Sequence, residues 1–203
     1  VSAGHMMNAY NEGDRLHLDL ALYQGNCFEF FPSADGSPYK PAPPQLTRLT
    51  FDLSGRSETP EMKLIVSTPD EMPRIDERWM GKPYRYGYMI CRQPGARAGD
   101  IGMGAIGRID HQTGELVTWA PGPDCGVQEP IFVPRRPGAP EGDGWLLVLV
   151  NRFAEMRSDL VVLDAQNLAE GPVATLRLPV RVRMTFHGCW VPESTARTGR
   201  YVA

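Results

Sequence analysis

Arg15-Leu16-His17-Leu18-Asp19-Leu20-Ala21-Leu22 is the stretch that indicates the fold class of this 203-residue chain. Its leucines recur at every second position, which is the period of a β-strand, because successive side chains on a strand point to opposite faces. The pattern predicts a strand with a packed leucine face and a solvated face that carries His17 and Asp19. No segment keeps the helical apolar period over three turns, so we expect an all-β protein.

Similar strand-like segments recur along the chain, and turns separate them. The 21 Gly and 19 Pro fit many short strands joined by many turns. About ten short strands are typical of a sandwich, a barrel or a propeller, and this pattern leaves the choice open. With ~40–45 residues per blade, the length would supply roughly four or five propeller blades at most. The further strand candidates are 46–53, 62–68, 84–92, 105–110, 115–120, 131–134, 145–151, 160–164 and 173–178, and the proline-rich stretch 32–44 is predicted to be a surface loop.

The composition excludes several classes of function. A net charge of −3 and the absence of a basic run argue against nucleic-acid binding. No apolar run approaches the roughly 20 residues of a membrane-spanning helix, and the longest one, 145–150, fits a buried strand. Four scattered cysteines without a CxxC pair argue against a zinc ribbon or a small disulfide scaffold. They favour reduced thiols and a cytoplasmic location, although the spacing leaves two disulfides open.

Two histidine motifs stand at opposite ends of the chain, with two glutamates in proline-marked frames between them. His5 lies in Gly4-His5-Met6-Met7-Asn8, His187 lies in Phe186-His187-Gly188, and the glutamates are Glu71 and Glu129. Neutral imidazoles bind divalent metals, and carboxylates can hold the rings through their other N–H groups. The nearly even spacing fits one contribution per blade from strands that converge on a propeller axis. A redox-capable metal on histidines supports oxygen chemistry, but two histidines are too few to complete the site.

Each of these residues also has a simpler interpretation. An isolated histidine such as His187 more often packs or forms a hydrogen bond than binds a metal. Glu129, which precedes Pro130, is also compatible with a surface charge at a strand start, and Glu71 with a turn residue.

Other aromatic residues are predicted to have no role at a metal. His17, on the polar face of its strand, and His111, in a hairpin turn, are expected to be solvated. Tyr84, Tyr86 and Tyr88 alternate along a strand and predict sheet packing.

The motifs taken together resemble the carotenoid cleavage oxygenase family over nearly the whole chain, and they match the C-terminal two-fifths of a typical member. The first histidine motif and Phe30-Phe31-Pro32 are most similar to the lignostilbene dioxygenases of that family. The segments that carry the resemblance are His5 with Asn8-Ala9-Tyr10, Glu71-Met72-Pro73-Arg74-Ile75, Tyr84-Arg85-Tyr86-Gly87-Tyr88, Glu129-Pro130-Ile131-Phe132-Val133-Pro134-Arg135, Gly144-Trp145-Leu146-Leu147-Val148, Leu163-Asp164-Ala165 and Phe186-His187-Gly188.

The resemblance implies a seven-bladed β-propeller with a non-haem Fe(II) on its axis. In the family four histidines hold the iron, and glutamates support three of them. Carried over by motif, His5 is the third ligand and His187 the fourth, and Glu71 and Glu129 are two of the supporting glutamates. The chain starts at Val1 without an initiator Met or a signal peptide. We therefore expect residues 1–203 to be the C-terminal portion of one propeller domain whose N-terminal portion is missing.

Two functions follow as hypotheses. The first is an Fe(II)-dependent dioxygenase that uses O2 to cleave a conjugated C=C bond of a stilbene-type phenylpropanoid or an apocarotenoid into two carbonyl products. The resemblance implies no membrane contact other than a peripheral one through the missing portion, and the chain alone is expected to hold little iron and to be inactive. The second is a non-catalytic propeller module that binds a small apolar ligand or a protein partner.

Overall fold

The structure, a computed structural model, describes residues 1–28, 31–32, 34–38, 42–93, 104–193 and 196. Apart from two single 3-10 turns, Glu77–Trp79 and Leu168–Glu170, its regular elements are β-strands. The strands are β1 (Ser2–Glu12), β2 (Arg15–Tyr23), β3 (Gln45–Asp52), β4 (Glu61–Leu64), β5 (Asp70–Ile75), β6 (Tyr86–Cys91), β7 (Ala105–Asp110), β8 (Leu116–Trp119), β9 (Cys125–Val127), β10 (Ile131–Pro134), β11 (Gly144–Arg152), β12 (Arg157–Asp164) and β13 (Pro172–Arg177).

The described strands form three antiparallel sheets in which each strand pairs with the next one along the chain. The orders are β1-β2-β3-β4, β5-β6-β7-β8 and β10-β11-β12-β13, and β9 pairs with β11 beside β10. Three sheets among the described residues are fewer than the four or five blades that the chain length allows. The prediction of an all-β chain is confirmed.

The second sheet is packed on both faces. Tyr88 and Ile90 of β6 face the third sheet, where the Tyr88 ring stacks on Phe132 with centroids 5.6 Å apart. Their neighbours Met89 and Cys91 belong to the core between the first and second sheets. A strand buried on both faces reads as a continuous apolar run. The outer strands β4 and β13 are exposed along their whole length, whereas inner strands such as β6 and β11 carry the buried residues.

The first strand of each sheet contains an extra residue. On β1, Ala3 and Met6 lie opposite Leu22 and Leu20, so three steps on β1 match two on β2. Corresponding extra residues lie between Glu71 and Arg74 on β5 and between β9 and β10. On β5, Met72 adopts a φ of 49°, and between β9 and β10 Pro130 has no N–H to donate. Such bulges bend a strand and redirect its side chains.

These bulges explain which strands the sequence pattern missed. β1, β5 and β9 were not among the strand candidates, since an extra residue interrupts the period of two. The other candidates correspond to observed strands, and 105–110 and 131–134 match without adjustment. The described parts of the stretch 32–44 contain no strand, whereas Phe30 and residues 33 and 39–41 lie outside the described residues.

The polar face of β2 is a correction to the prediction. His17 is 8% exposed, although it was expected to be solvated, and Asp19 on the same polar face is fully buried. The reason is that neighbouring strands supply partners. Asp19 accepts two hydrogen bonds of 2.7 Å from Arg48 and one of 2.5 Å from Tyr84, and His17 Nδ1 lies 2.9 Å from a threonine hydroxyl on β3. Buried charges are tolerated when they are paired in this way.

All four cysteines are free thiols in the structure, in agreement with the expected reduced state. In the part of the chain that the structure describes, we find no helix with the length and apolar character needed to cross a membrane.

Candidate metal centre

The bulge on β1 carries His5, and the bulge on β5 carries its partner Glu71. His5 Nδ1 lies 2.8 Å from Glu71 Oε2. The same carboxylate accepts a hydrogen bond of 2.7 Å from the backbone N–H of Met72 and one of 2.9 Å from the hydroxyl of Tyr23. Glu71 is therefore buried but fully supplied with donors, which holds it in one orientation beneath the imidazole.

Gly4 makes room for this pair. A methyl group at Gly4 would collide with Glu71 Oε1 and lie 2.8 Å from the ring of Tyr23. Only glycine lets the carboxylate and the tyrosine approach β1 this closely.

His187 and Glu129 form the second pair. His187 Nδ1 lies 3.2 Å from Glu129 Oε1, and the backbone N–H of Gly188 donates to Oε2 at 3.0 Å. Arg74 of β5 reaches across from the second sheet and places its Nη1 3.1 Å from the same Oε2. Glu129 is 7% exposed. Its negative charge is therefore balanced inside the protein and not by water.

His187 lies beyond the last strand, on a segment that crosses back over the third sheet. A row of buried polar side chains holds this segment. Ser158 binds both the N–H and the carbonyl of Val182, and Gln128 binds the carbonyl of Arg183 and the backbone N–H of Thr185. The segment therefore depends on hydrogen bonds, since its large apolar side chains, such as Phe186 at 71% exposure, pack little.

The two histidine rings meet at the centre. Their centroids are 5.0 Å apart with an interplanar angle of 68°. Each ring turns its Nδ1 to a carboxylate, which favours the Nδ1–H tautomer and leaves the Nε2 lone pair free for a metal. With metal–nitrogen bonds of about 2.1 Å, rings at this separation fit neighbouring positions on one ion, since opposite positions would hold them farther apart. The donor set therefore fits a divalent metal that prefers imidazole, such as Fe(II).

These two histidines are only part of a ligand set. Among the described residues, no group of three or more His, Cys, Asp and Glu side chains gathers in a form that could hold a metal ion. His5 and His187 remain 37% and 57% exposed at their side chains. The pair is thus open on the side away from Glu71 and Glu129.

Asp70 adjoins Glu71 and is fully buried. Burial raises its pKa to about 8, despite a hydrogen bond from the backbone N–H of Leu46 to its Oδ2, and its Oδ1 has no partner. Burial likewise raises the pKa of the nearby Cys91 thiol to about 12, so this cysteine is unreactive. Neither residue contributes a donor to the histidine pair.

His111 is a second correction. It is half-buried against Tyr84, with ring centroids 4.7 Å apart, and burial lowers its pKa to about 4. It lines a cavity of about 380 Å³ together with Tyr10, Arg48 and Tyr84, and this cavity includes none of the four predicted site residues. His111 is therefore a neutral packed histidine, and the expectation that it has no metal role stays a prediction. The expected packing role of the tyrosines agrees with the burial of Tyr84 and Tyr88.

The structure thus brings together His5, Glu71, Glu129 and His187, which the sequence placed in four separate motifs. His5 and Glu71 lie on the first strands of the first two sheets and Glu129 lies between β9 and β10 of the third, whereas His187 comes from the crossing segment. Sequence reasoning assigned no role to Tyr23, Arg74 or Gly4. Arg74 and Gly4 lie in the same motifs as Glu71 and His5, and this proximity in sequence could have indicated a role at the site. Nothing in the sequence indicated such a role for Tyr23.

Several known proteins are similar to this chain in sequence. Residues 1–192 match the sequence profile of the family described as retinal pigment epithelial membrane protein. A lignostilbene-alpha,beta-dioxygenase isozyme III of Sphingomonas paucimobilis is 42% identical over 204 residues, which cover 96% of this chain and 42% of that protein. An isoeugenol monooxygenase of Pseudomonas nitroreducens is 38% identical, and the match covers 93% of this chain and 41% of that protein.

Solved structures agree. The crystal structure of Pseudomonas brassicacearum lignostilbene dioxygenase superposes with a TM-score of 0.87 at 38% identity, covering 94% of this chain and 42% of that one. Cobalt-substituted Synechocystis ACO superposes with a TM-score of 0.81 at 33% identity, covering 94% of this chain and 40% of that one. The chain spans about two-fifths of the length of these relatives, and its three sheets are part of their β-propeller fold. It belongs to the retinal pigment epithelial membrane protein family, the carotenoid cleavage oxygenases.

Proposed function

We propose that this chain supplies half of the iron site of a non-haem Fe(II) dioxygenase that cleaves a conjugated C=C bond into two carbonyl products. His5 and His187 hold the metal through Nε2, and Glu71 and Glu129 fix the two rings through Nδ1. The observation that carries the proposal is this doubled arrangement, in which two rings 5.0 Å apart each have a buried carboxylate on the far nitrogen. A packing role for two histidines would not require both carboxylates.

The work of this chain's own residues is positioning. When bound, Fe(II) would supply the capacity to bind and activate O2. Glu71 and Glu129 raise the basicity of the two imidazoles and hold them in one tautomer. Arg74, Tyr23 and the N–H of Met72 hold these carboxylates in turn. Both glutamates face the Nδ1 atoms of the rings, so their role here is to hold the imidazoles and not to exchange protons with a substrate.

The substrate class follows from the relatives. Their names include lignostilbene, isoeugenol, resveratrol and apocarotenoid, each attached to an oxygenase. We propose a stilbene-type phenylpropanoid first, since the most similar of these is a lignostilbene dioxygenase at 42% identity. We further propose that residues 1–203 form the C-terminal portion of a larger propeller domain located in the cytoplasm.

A second candidate is a binding module without catalysis. The observation that favours it is the absence of a third metal-binding side chain among the described residues near the pair. Two imidazoles alone hold Fe(II) weakly, so a polypeptide that offers no further ligand would act only by binding a small apolar molecule or a partner.

The test uses the polypeptide as its gene encodes it. It is loaded with Fe(II) without oxygen, freed of excess metal, and given a hydroxylated stilbene, isoeugenol or an apocarotenal in air. We expect one iron per protein, O2 consumption and a pair of carbonyl products from the stilbene, all abolished by a chelator. Absence of bound iron and of products, in a protein that remains folded, would refute the oxygenase and leave the binding module.

A further inference from the structure

Arg74 occupies a position that links the two halves of the candidate site. It stands three residues after Glu71 on the same strand, β5, with the extra residue of the bulge between them. Residues three apart on a regular strand point to opposite faces, and one inserted residue removes that alternation. Glu71 and Arg74 accordingly lie opposite Ile90 and Tyr88, two residues that share one face of β6. The single strand β5 can therefore contribute Glu71 to the His5 pair and Arg74 to the His187 pair.

Two of the groups that Arg74 contacts, Glu129 and the Gly188 carbonyl, adjoin His187. Its Nη1 lies 3.1 Å from Glu129 Oε2 and donates to the carbonyl oxygen of Gly188 at 3.4 Å, and its Nη2 pairs with Glu77. The arginine thus contacts Glu129, which lies between β9 and β10 of the third sheet, and the backbone of the crossing segment at the same time. The pair with Glu77 restrains the guanidinium from the other side.

Electrostatics require this cation. Glu129 is 5% exposed at its side chain, and a buried carboxylate without a partner is strongly unfavourable. In the part of the chain that the structure describes, Glu129 forms ion pairs with Arg74 and with the ring of His187. Arg74 is therefore the permanent positive charge that pairs with the Glu129 carboxylate and orients it under the imidazole.

We infer that Arg74 is the positioning residue for His187, acting through Glu129 and the Gly188 carbonyl, and that β5 thereby sets the relation between the two rings. The inference rests on the proposed function only where it calls His187 a metal ligand. Tyr23 has the corresponding position beside Glu71, to which its hydroxyl donates a hydrogen bond, but it is a neutral donor.

The test measures amide hydrogen exchange of the segment 182–190 in the polypeptide as its gene encodes it. Replacement of two charge-assisted contacts in Arg74→Gln should speed exchange of the Gly188 amide by about 10-fold to 100-fold. Arg74→Lys keeps the charge and should give an intermediate rate. Arg136→Gln is the matched control, because Arg136 also pairs with a carboxylate, Asp143, but away from the site. Unchanged exchange in β6 and β7 shows that each variant is folded.

A double-mutant cycle separates positioning from general support. If Arg74 acts through Glu129, the Arg74→Gln substitution should have little left to change once Glu129 is replaced by Gln. In that Glu129→Gln background it should alter the exchange rate of the Gly188 amide by about threefold or less, because the effects of the two substitutions are not additive. Three outcomes would each overturn the inference. Arg74→Gln and Arg136→Gln could speed exchange of the Gly188 amide equally, Arg74→Gln could leave that exchange unchanged, or Arg74→Gln could have its full effect in the Glu129→Gln background. None of these readings needs iron. Loosening in a protein that neither binds iron nor cleaves an alkene would support the inference and refute the proposed function.

Discussion

Asp70→Asn offers a quantitative test of the electrostatics beside the site. Asp70 is fully buried, its Oδ2 accepts one backbone hydrogen bond, and its pKa is raised to about 8 from 3.8. Between these values the native state holds a proton that the unfolded state has released. Stability therefore falls as pH rises through this range, by 1.36 kcal/mol per pH unit.

His111 has the opposite effect over part of the same range. Burial lowers its pKa from 6.5 to about 4, so the unfolded state binds the extra proton and stability falls as pH decreases through this range. The two slopes offset each other between pH 4 and 6.5. Above pH 6.5 the His111 slope fades as the unfolded state loses its proton, whereas the Asp70 slope persists. Between pH 6.5 and 8 the wild-type protein should lose about 1.5 kcal/mol of unfolding free energy through Asp70.

The Asp70→Asn variant should not lose this unfolding free energy between pH 6.5 and 8. An asparagine can still accept the N–H of Leu46, and it does not titrate. Urea denaturation followed by fluorescence of the four tryptophans at pH 6.5, 7, 7.5 and 8 gives both curves. The control is Asp14→Asn, which changes an exposed carboxylate. Parallel pH dependences for wild type and Asp70→Asn, with the control also parallel, would show that Asp70 is ionised in the native protein and that the reasoning is wrong.

Three further predictions follow from the same geometry. Glu71→Gln and Glu129→Gln should each weaken Fe(II) or Co(II) binding by about 10-fold to 100-fold while the fold is kept, measured by metal titration; unchanged affinity in both would contradict the ring-holding role. Gly4→Ala should destabilise the protein by about 1–3 kcal/mol and weaken metal binding, whereas Gly25→Ala, whose methyl would meet only Ala42 at 3.5 Å, should do neither in the same denaturation and titration assays. His111→Gln should remove the loss of stability between pH 6.5 and 4 that His111 causes, so that the stability of this variant falls steadily with rising pH over that interval; a curve like that of the wild type would refute the assignment.

The strands of regular period were predictable from the sequence, and the irregular ones were not. β7 and β10 agree with the predicted bounds, and their pairing with neighbouring strands has no register shift that would interrupt the period of two. β1, β5 and β9 were missed since each carries or adjoins an extra residue that shifts later side chains to the other face. The same extra residues direct the side chains of His5, Glu71 and Glu129 towards the candidate metal centre. The strands that carry the candidate site are therefore the ones that a period of two identifies least well.

The burial of polar residues was equally beyond the sequence pattern. His17 and Asp19 follow the alternation of a solvated face, and only the adjacent strand β3 and the second sheet supply the hydrogen-bond partners that allow them to be buried. A polar residue has no fixed preference for water once a partner is present. Such partners are distant in sequence and cannot be read from local period.

The sequence by itself determined the β class, the family resemblance and the identity of four residues with the chemistry of a metal site. The tertiary structure decided which histidine pairs with which carboxylate, and it revealed Gly4, Tyr23 and Arg74 as their supports. The physical reason is that residue type sets what a side chain can bind, whereas direction depends on strand bulges and on contacts across as many as 114 residues, as between Arg74 and Gly188.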